Sequence, residues 1–271
     1  MAMDAAAELL SIAVEAAHQA GALLLAGRGG VLHVETKSSA TDMVSEMDRA
    51  AEAVIREVIL SRRPGDAILG EEGGATSGQR TDDAPRVRWI VDPLDGTTNF
   101  LYDFPAWCVS VAAEADGVVI AGAVFDPNHD ELWAATRGGG ASRNGTPLPM
   151  LVDGPGLATA LVATGFSYHA ERRADQGRVV ATILPLVRDL RRAGAAALDL
   201  CWLAAGRVDA YFEEGTHIWD WAAGALIASE VGAWVGGLDG EGPTDGEILL
   251  AARPALAREL RDLIRSASAK T

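Results

Sequence analysis

The stretch Trp89-Ile-Val-Asp-Pro-Leu-Asp-Gly-Thr-Thr-Asn-Phe100 puts two carboxylates at the end of an apolar run, with a glycine and two threonines close behind. Val87 to Val91 predicts a buried strand leading into Asp92, and Pro93, lacking an N–H, is expected to end its ladder. Gly96-Thr97-Thr98 then opens a helix whose first amides face the same place. Two carboxylates this close to a strand end are costly unless something positive lies between them. Hard divalent cations such as Mg2+ favour such oxygen donors and bind phosphate as well. Taken alone, the segment also reads as an Asx-type turn in which Asp92 and Asp95 merely cap a helix.

Upstream, Leu9, Ile12, Ala13, Ala16, Ala20, Leu23 and Leu24 recur at helical spacing until Gly29-Gly30. A polar loop follows, Lys37 to Asp42, and then a second helix from about Ser45 to Ser61, with Ser45-x-x-Asp48 resembling a capping box. Ala67 to Gly70 predicts a short strand. Downstream, two β-rich runs between Trp107 and Pro127 flank Asp116-Gly117, a hairpin turn pair, and Leu132 to Thr136 adds a third antiparallel strand. The second half alternates: strands at 160–163, 208–212 and 248–251, helices at 171–187, 195–205 and 219–231, and a last helix opened by Pro254. The order predicts layered α and β structure with a partly antiparallel first sheet.

Three further segments carry carboxylates. Glu71 and Glu72 end the strand at 67–70 and precede two glycines, which also fits a solvated turn. His217-Ile-Trp-Asp-Trp-Ala-Ala-Gly224 sets Asp220 at the start of a small-residue helix, where a plain N-cap explains it equally well. Asp48 is accounted for by its capping box.

The chain has 271 residues and a formal net charge of −15. Such a charge disfavours nucleic acid and anionic membrane as partners. It would also repel a phosphate substrate unless bound cations reversed the local field. Cys108 and Cys201 sit in apolar runs and read as core residues. The N-terminus lacks the pattern of a signal peptide, and no run approaches the ~18 apolar residues of a membrane span. A cytoplasmic location is the expectation.

Together these segments resemble the inositol monophosphatase family, within the lithium-sensitive, magnesium-dependent sugar phosphatases. The resemblance rests on Asp92-Pro93-Leu94-Asp95-Gly96-Thr97 and on Trp219-Asp220-x-Ala-Ala-Gly224. The Gly70-Glu71-Glu72 step and the Lys37-Ser-Ser-x-x-Asp42 loop match in the same order. It implies an αβαβα fold in two sub-domains: residues 1–145 with most metal ligands, and 146–271 with Asp220 and the substrate pocket. It also implies a homodimer. Glu71, Asp92, Asp95, Asp220 and the Leu94 carbonyl would hold two to three Mg2+ ions, with Mn2+ as a substitute and Li+ as an inhibitor. Glu71, Thr97 and Asp48 would act on the attacking water. Gly96 and Thr97 amides would bind phosphate. Asp95, Gly194, Ala196 and Glu213 would contact a polyol phosphate, with Ser167 and His217 beside them. Position 195 is Ala where relatives often carry a hydroxyl. The implied activity is hydrolysis of inositol monophosphate. Sister activities on histidinol phosphate, fructose 1,6-bisphosphate or a nucleotide 3′-phosphate share the metal motifs, and a non-catalytic scaffold or regulatory protein is a further alternative.

Overall fold

Helix α1 (Ala2–Gly27) buries Leu9, Ile12, Ala13, Ala16, Ala20 and Leu24 along one face, the stripe that the sequence spacing predicts. The structure is a computed structural model and describes residues 2–29, 34–36, 43–76, 78, 86–240 and 242–269. The loop at 37–42 lies outside them. By length and composition alone α1 is apolar enough to cross a membrane, although Asp4, Glu8 and Glu15 interrupt its apolar run. Its apolar stripe packs instead on a second helix and on a sheet.

A short antiparallel pair follows, β1 (Val34–Thr36) and β2 (Met43–Ser45). Next come α2 (Glu46–Arg62), β3 (Ala67–Gly70), β4 (Gly74–Thr76), β5 (Val87–Asp95) and the single turn α3 (Thr97–Leu101). An antiparallel run continues through β6 (Cys108–Ala115), β7 (Val118–Asp126), β8 (Glu131–Thr136), β9 (Gly140–Arg143) and β10 (Thr146–Pro147). The second half holds β11 (Leu161–Thr164), α4 (Ala170–Ile183), β12 (Asp189–Arg191) and α5 (Ala196–Ala204). It ends with β13 (Ala210–Glu214), α6 (Ile218–Glu230), β14 (Trp234–Gly236), β15 (Ile248–Ala252) and α7 (Pro254–Ser268).

Two larger sheets result. The first has the order β10-β9-β8-β7-β6-β5-β3-β4 and is antiparallel except where β3 joins β5. The second, β12-β11-β13-β15-β14, is parallel at β12-β11-β13 and antiparallel at β13-β15-β14. Helices α1 and α2 cover one face of the first sheet. Helices α5 and α6 fill the space between the sheets, and α4 and α7 cover the far face of the second. This is the expected αβαβα layering. The middle layer is thin because its helices carry small residues: a methyl at Gly224 of α6 would stand 2.8 Å from Leu200 Cβ of α5.

Two local readings change, while Cys108 and Cys201 sit in the core as expected. Pro93 does not end β5; the strand runs to Asp95, with a register shift against β6 between Asp92 and Asp95. A bulge absorbs the missing proline N–H. The helix expected at 171–187 stops at Ile183, and Leu184–Leu186 around Pro185 form a 3-10 turn. The cysteines are both buried and free.

Candidate active site

Glu71 stands just past β3, where its parallel pairing with β5 ends, and its N–H donates to Val91 O at 3.2 Å. The turn behind it is fastened by Glu52 of α2. Its carboxylate accepts the amides of Glu72 at 2.9 Å and Gly73 at 3.1 Å, while Arg56 Nε donates to it at 2.7 Å. A Cβ at Gly70 would lie 2.5 Å from that carboxylate, so glycine there lets the turn close over Glu52. The sequence reading missed Glu52; the paired glycines flanking Glu71-Glu72 were its signal.

Asp92 does form an Asx turn, with Leu94 N–H donating to Oδ1 at 2.9 Å. Asp95 does not cap the adjacent helix, whose N-cap is Gly96 at φ 95°. It reaches α5 instead, where its carboxylate accepts Ala196 N–H at 3.2 Å and Ala197 N–H at 2.7 Å. Asp220 is the N3 residue of α6 rather than its N-cap: His217 is the cap, and its N–H donates to Asp220 Oδ2 at 2.7 Å. The side chain of Asp48 is fully buried and accepts the Thr97 hydroxyl at 2.9 Å. The Ser45 half of the proposed capping box lies outside the described side chains.

These elements meet at a cleft of about 510 Å³. Glu71, Asp92, Leu94, Asp95, Gly96, Thr97 and Asp220 line it, as do Ser167, Gly194, Ala196, Glu213 and His217. Asp48 lies behind Thr97 rather than in the wall. Ser167 Oγ accepts His169 N–H at 3.1 Å, and Glu213 takes the Tyr211 hydroxyl at 3.0 Å. The wall also includes Tyr168, Arg172, Arg192 and Trp219, whose places the sequence did not reveal. Asn99 fixes the Gly194 segment, its amide donating to Ala106 O at 2.6 Å and Ala193 O at 2.9 Å.

The electrostatics of the carboxylates are one-sided. Burial, then the charges of Glu71, Asp95 and Asp220, push Asp92 well above the usual carboxylate range, and it shares a hydrogen bond with Glu71. Asp220 is raised by burial and then by Glu71 and Asp95. Burial is also the main cause that raises Asp95, to about 7. Among the described residues, no arginine or lysine forms an ion pair with Asp92, Asp95 or Asp220. Nor do three ligand-type groups already stand together as a closed coordination set. A donor set of carboxylates that oppose one another's ionisation fits a divalent cation.

A five-layered fold with such a carboxylate cleft between its layers is that of the sugar-phosphatase class. The model of the inositol monophosphatase family matches residues 5–270, and the chain belongs to that family. It is 44% identical over 230 residues to the inositol-1-monophosphatase of Mycobacterium bovis, covering 84% of this chain and 79% of that one. It is 39% identical over 262 residues to the Nus factor SuhB of Pasteurella multocida, covering 95% and 96%. The crystal structure of extragenic suppressor protein suhB from Bartonella henselae superposes with a TM-score of 0.88 at 34% identity, covering 95% of this chain and 98% of that one. Family membership makes the chain a phosphatase, a phosphoric monoester hydrolase of a generally metal-dependent family.

Proposed function

We propose that the protein hydrolyses inositol monophosphate to inositol and phosphate with Mg2+. The observation that carries this reading is that Glu71, Asp92, Asp95 and Asp220 share one cleft with Thr97 and Glu213. Glu71, Asp92 and the Leu94 carbonyl would hold one ion, and Asp92, Asp95 and Asp220 another, with Glu71 reaching a third. Bound there, such ions lower the pKa of a water and neutralise the charge that develops on the leaving oxygen.

The remaining work falls to the chain. The Thr97 hydroxyl donates a hydrogen bond to Asp48, which leaves its lone pairs free to accept a hydrogen bond from a water. Asp48 and Glu71 are thereby the groups that orient and deprotonate the nucleophile. The Gly96 and Thr97 amides open α3 toward the cleft, placed to receive phosphate oxygens. Glu213, pinned by Tyr211, presents an acceptor to ring hydroxyls beside Asp95. Gly194, Ala196 and Ser167 shape the polyol end.

The test is phosphate release, with Mg2+ and with EDTA, from inositol 1-phosphate, histidinol phosphate, fructose 1,6-bisphosphate and adenosine 3′,5′-bisphosphate. The expected result is Mg2+-dependent turnover, fastest on inositol 1-phosphate. A different preferred ester would overturn the substrate, and silence on all four would overturn catalysis. Relatives named Nus factor SuhB favour a second reading, a non-catalytic regulatory role; the complete carboxylate set favours the first.

A further inference from the structure

Three side chains of α2 stand one turn apart on a single face: Asp48, Glu52 and Arg56. Asp48 accepts the Thr97 hydroxyl at 2.9 Å. Glu52, itself buried, accepts the Glu72 and Gly73 amides that turn the chain just beyond Glu71. Arg56 completes the set: its Nε donates to Glu52 Oε1 at 2.7 Å and its Nη2 to Gly74 O at 3.1 Å. One helix thus grips both the hydroxyl proposed to orient water and the turn that presents Glu71.

This clasp is larger than the hairpin it holds requires. β4 is the outer edge strand of the first sheet, and all three of its residues are exposed, so it adds little to the core. Yet its turn is tied by a buried carboxylate, a group that is costly to desolvate unless fully paired. Two glycines make room for it: a Cβ at Gly70 or at Gly73 would lie 2.5 Å from Glu52 Oε1. Among the described residues, Glu71 lines the cleft and Glu52 stands behind it. Glu71 also faces like charge on Asp92, Asp95 and Asp220, a repulsion that would swing a loosely held turn away from the cleft.

We propose that Glu52, backed by Arg56, is a positioning residue for the cation site: it fixes the turn so that the Glu71 carboxylate meets a divalent cation already in place. The inference rests on the metal-dependent phosphatase reading of the cleft. Groups that hold a metal ligand from behind change metal affinity by about 10- to 100-fold when they are removed. Here the hold acts through the backbone, by way of two amides, and leaves both oxygens of Glu71 for the cleft.

The experiment is titration calorimetry of Mg2+ into the full chain, beside melting in EDTA and turnover of inositol 1-phosphate. Glu52→Gln puts an NH2 where a second acceptor is needed and should weaken the tightest Mg2+ site by about 10- to 100-fold. Arg56→Gln removes a positive charge, so a field effect alone would tighten Mg2+ binding, whereas loss of the clasp weakens it. Gly73→Ala changes no charge, and Gly73 is not at positive φ. Its methyl would push on the clasp itself, 2.5 Å from Glu52 Oε1 and 2.8 Å from Arg56 Nη2, and should also weaken binding. If Glu52→Gln does not fold, the other two variants carry the test. Lower melting temperatures with unchanged Mg2+ affinity would make Glu52 a brace of the fold only and overturn the inference. An affinity that falls in Glu52→Gln alone would be a field effect and would overturn it too. If the wild type binds Mg2+ yet hydrolyses no ester, the phosphatase reading fails, while weaker binding in all three variants still supports the clasp. A wild type that binds no Mg2+ overturns both.

Discussion

The Thr97 hydroxyl stands 2.9 Å from Asp48 Oδ1 and 3.2 Å from the Leu94 carbonyl oxygen, which joins α3, α2 and the end of β5 through a single side chain. A hydroxyl has one proton to donate, so the buried carboxylate of Asp48 and the Leu94 carbonyl compete for it. If this pair positions the attacking water, Thr97→Ala should lower kcat by about 10²- to 10⁴-fold with a much smaller change in KM. Thr97→Ser should retain most of the rate. Steady-state kinetics on inositol 1-phosphate decides it; an unchanged kcat in the alanine variant removes Thr97 from the mechanism.

Asp92 is surrounded by like charge and shares a hydrogen bond with Glu71. Asp92→Asn should abolish measurable turnover yet raise the melting temperature of the metal-free protein by a few degrees, about 1 kcal/mol of relieved repulsion. Calorimetric melting in EDTA checks the second half. A lower melting temperature would mean that the carboxylate contributes to the metal-free fold.

The sign of the pH dependence follows from the same groups. Asp92, Asp95 and Asp220 are raised in the folded state, Asp95 to about 7. A carboxyl raised on folding contributes its full stability below the unfolded value near 4 and loses it as pH rises through the folded value. Cation binding must displace those protons. The gain in melting temperature on adding Mg2+ should therefore grow between about pH 5 and about pH 8. A gain that is flat across this range would show that protons and cation do not compete.

Glu213 rests directly over Gly165, where any Cβ would collide with its carboxylate. Gly165→Ala should displace Glu213 and destabilise the protein by about 1–3 kcal/mol. Its KM for inositol 1-phosphate should rise, and Glu213→Gln should raise KM without the loss of stability. The split is measured by pairing kinetics with denaturant melts. An equal loss on a simple aryl phosphate would argue that Glu213 does not read the polyol.

Most of the architecture was legible where periodicity and turn chemistry agree. The stripe of α1 reads from Leu9 to Leu24, and the hairpin of β6 and β7 reads from Asp116 and Gly117, both at positive φ. Legibility failed where long-range contact overrides a local rule. Pro93 looked like a strand end because the rule concerns a regular ladder, whereas the register shift before Asp95 accommodates it. Asp95 looked like a local cap because sequence reveals neighbours along the chain, and its amide donors lie in α5. The carboxylates were recognisable from their motifs. Arg172 and Arg192 were not placed, since nothing in a run of arginines tells which of them turns inward.

The reach of Asp95 to Ala196 and Ala197 crosses about a hundred residues and fastens the first turn of α5. One carboxylate is thus both a proposed ligand and a clasp between the two halves of the chain. Amide hydrogens at the start of α5 become reporters of events at the opposite end of the sequence, since anything that draws the carboxylate elsewhere lengthens those two bonds. Random mutagenesis would find position 95 unusually unforgiving, because Asn keeps one acceptor but loses the charge and Glu keeps both but moves them by a methylene. A replacement at this site therefore answers to two demands at once, the proposed ligand role and the joinery of the fold.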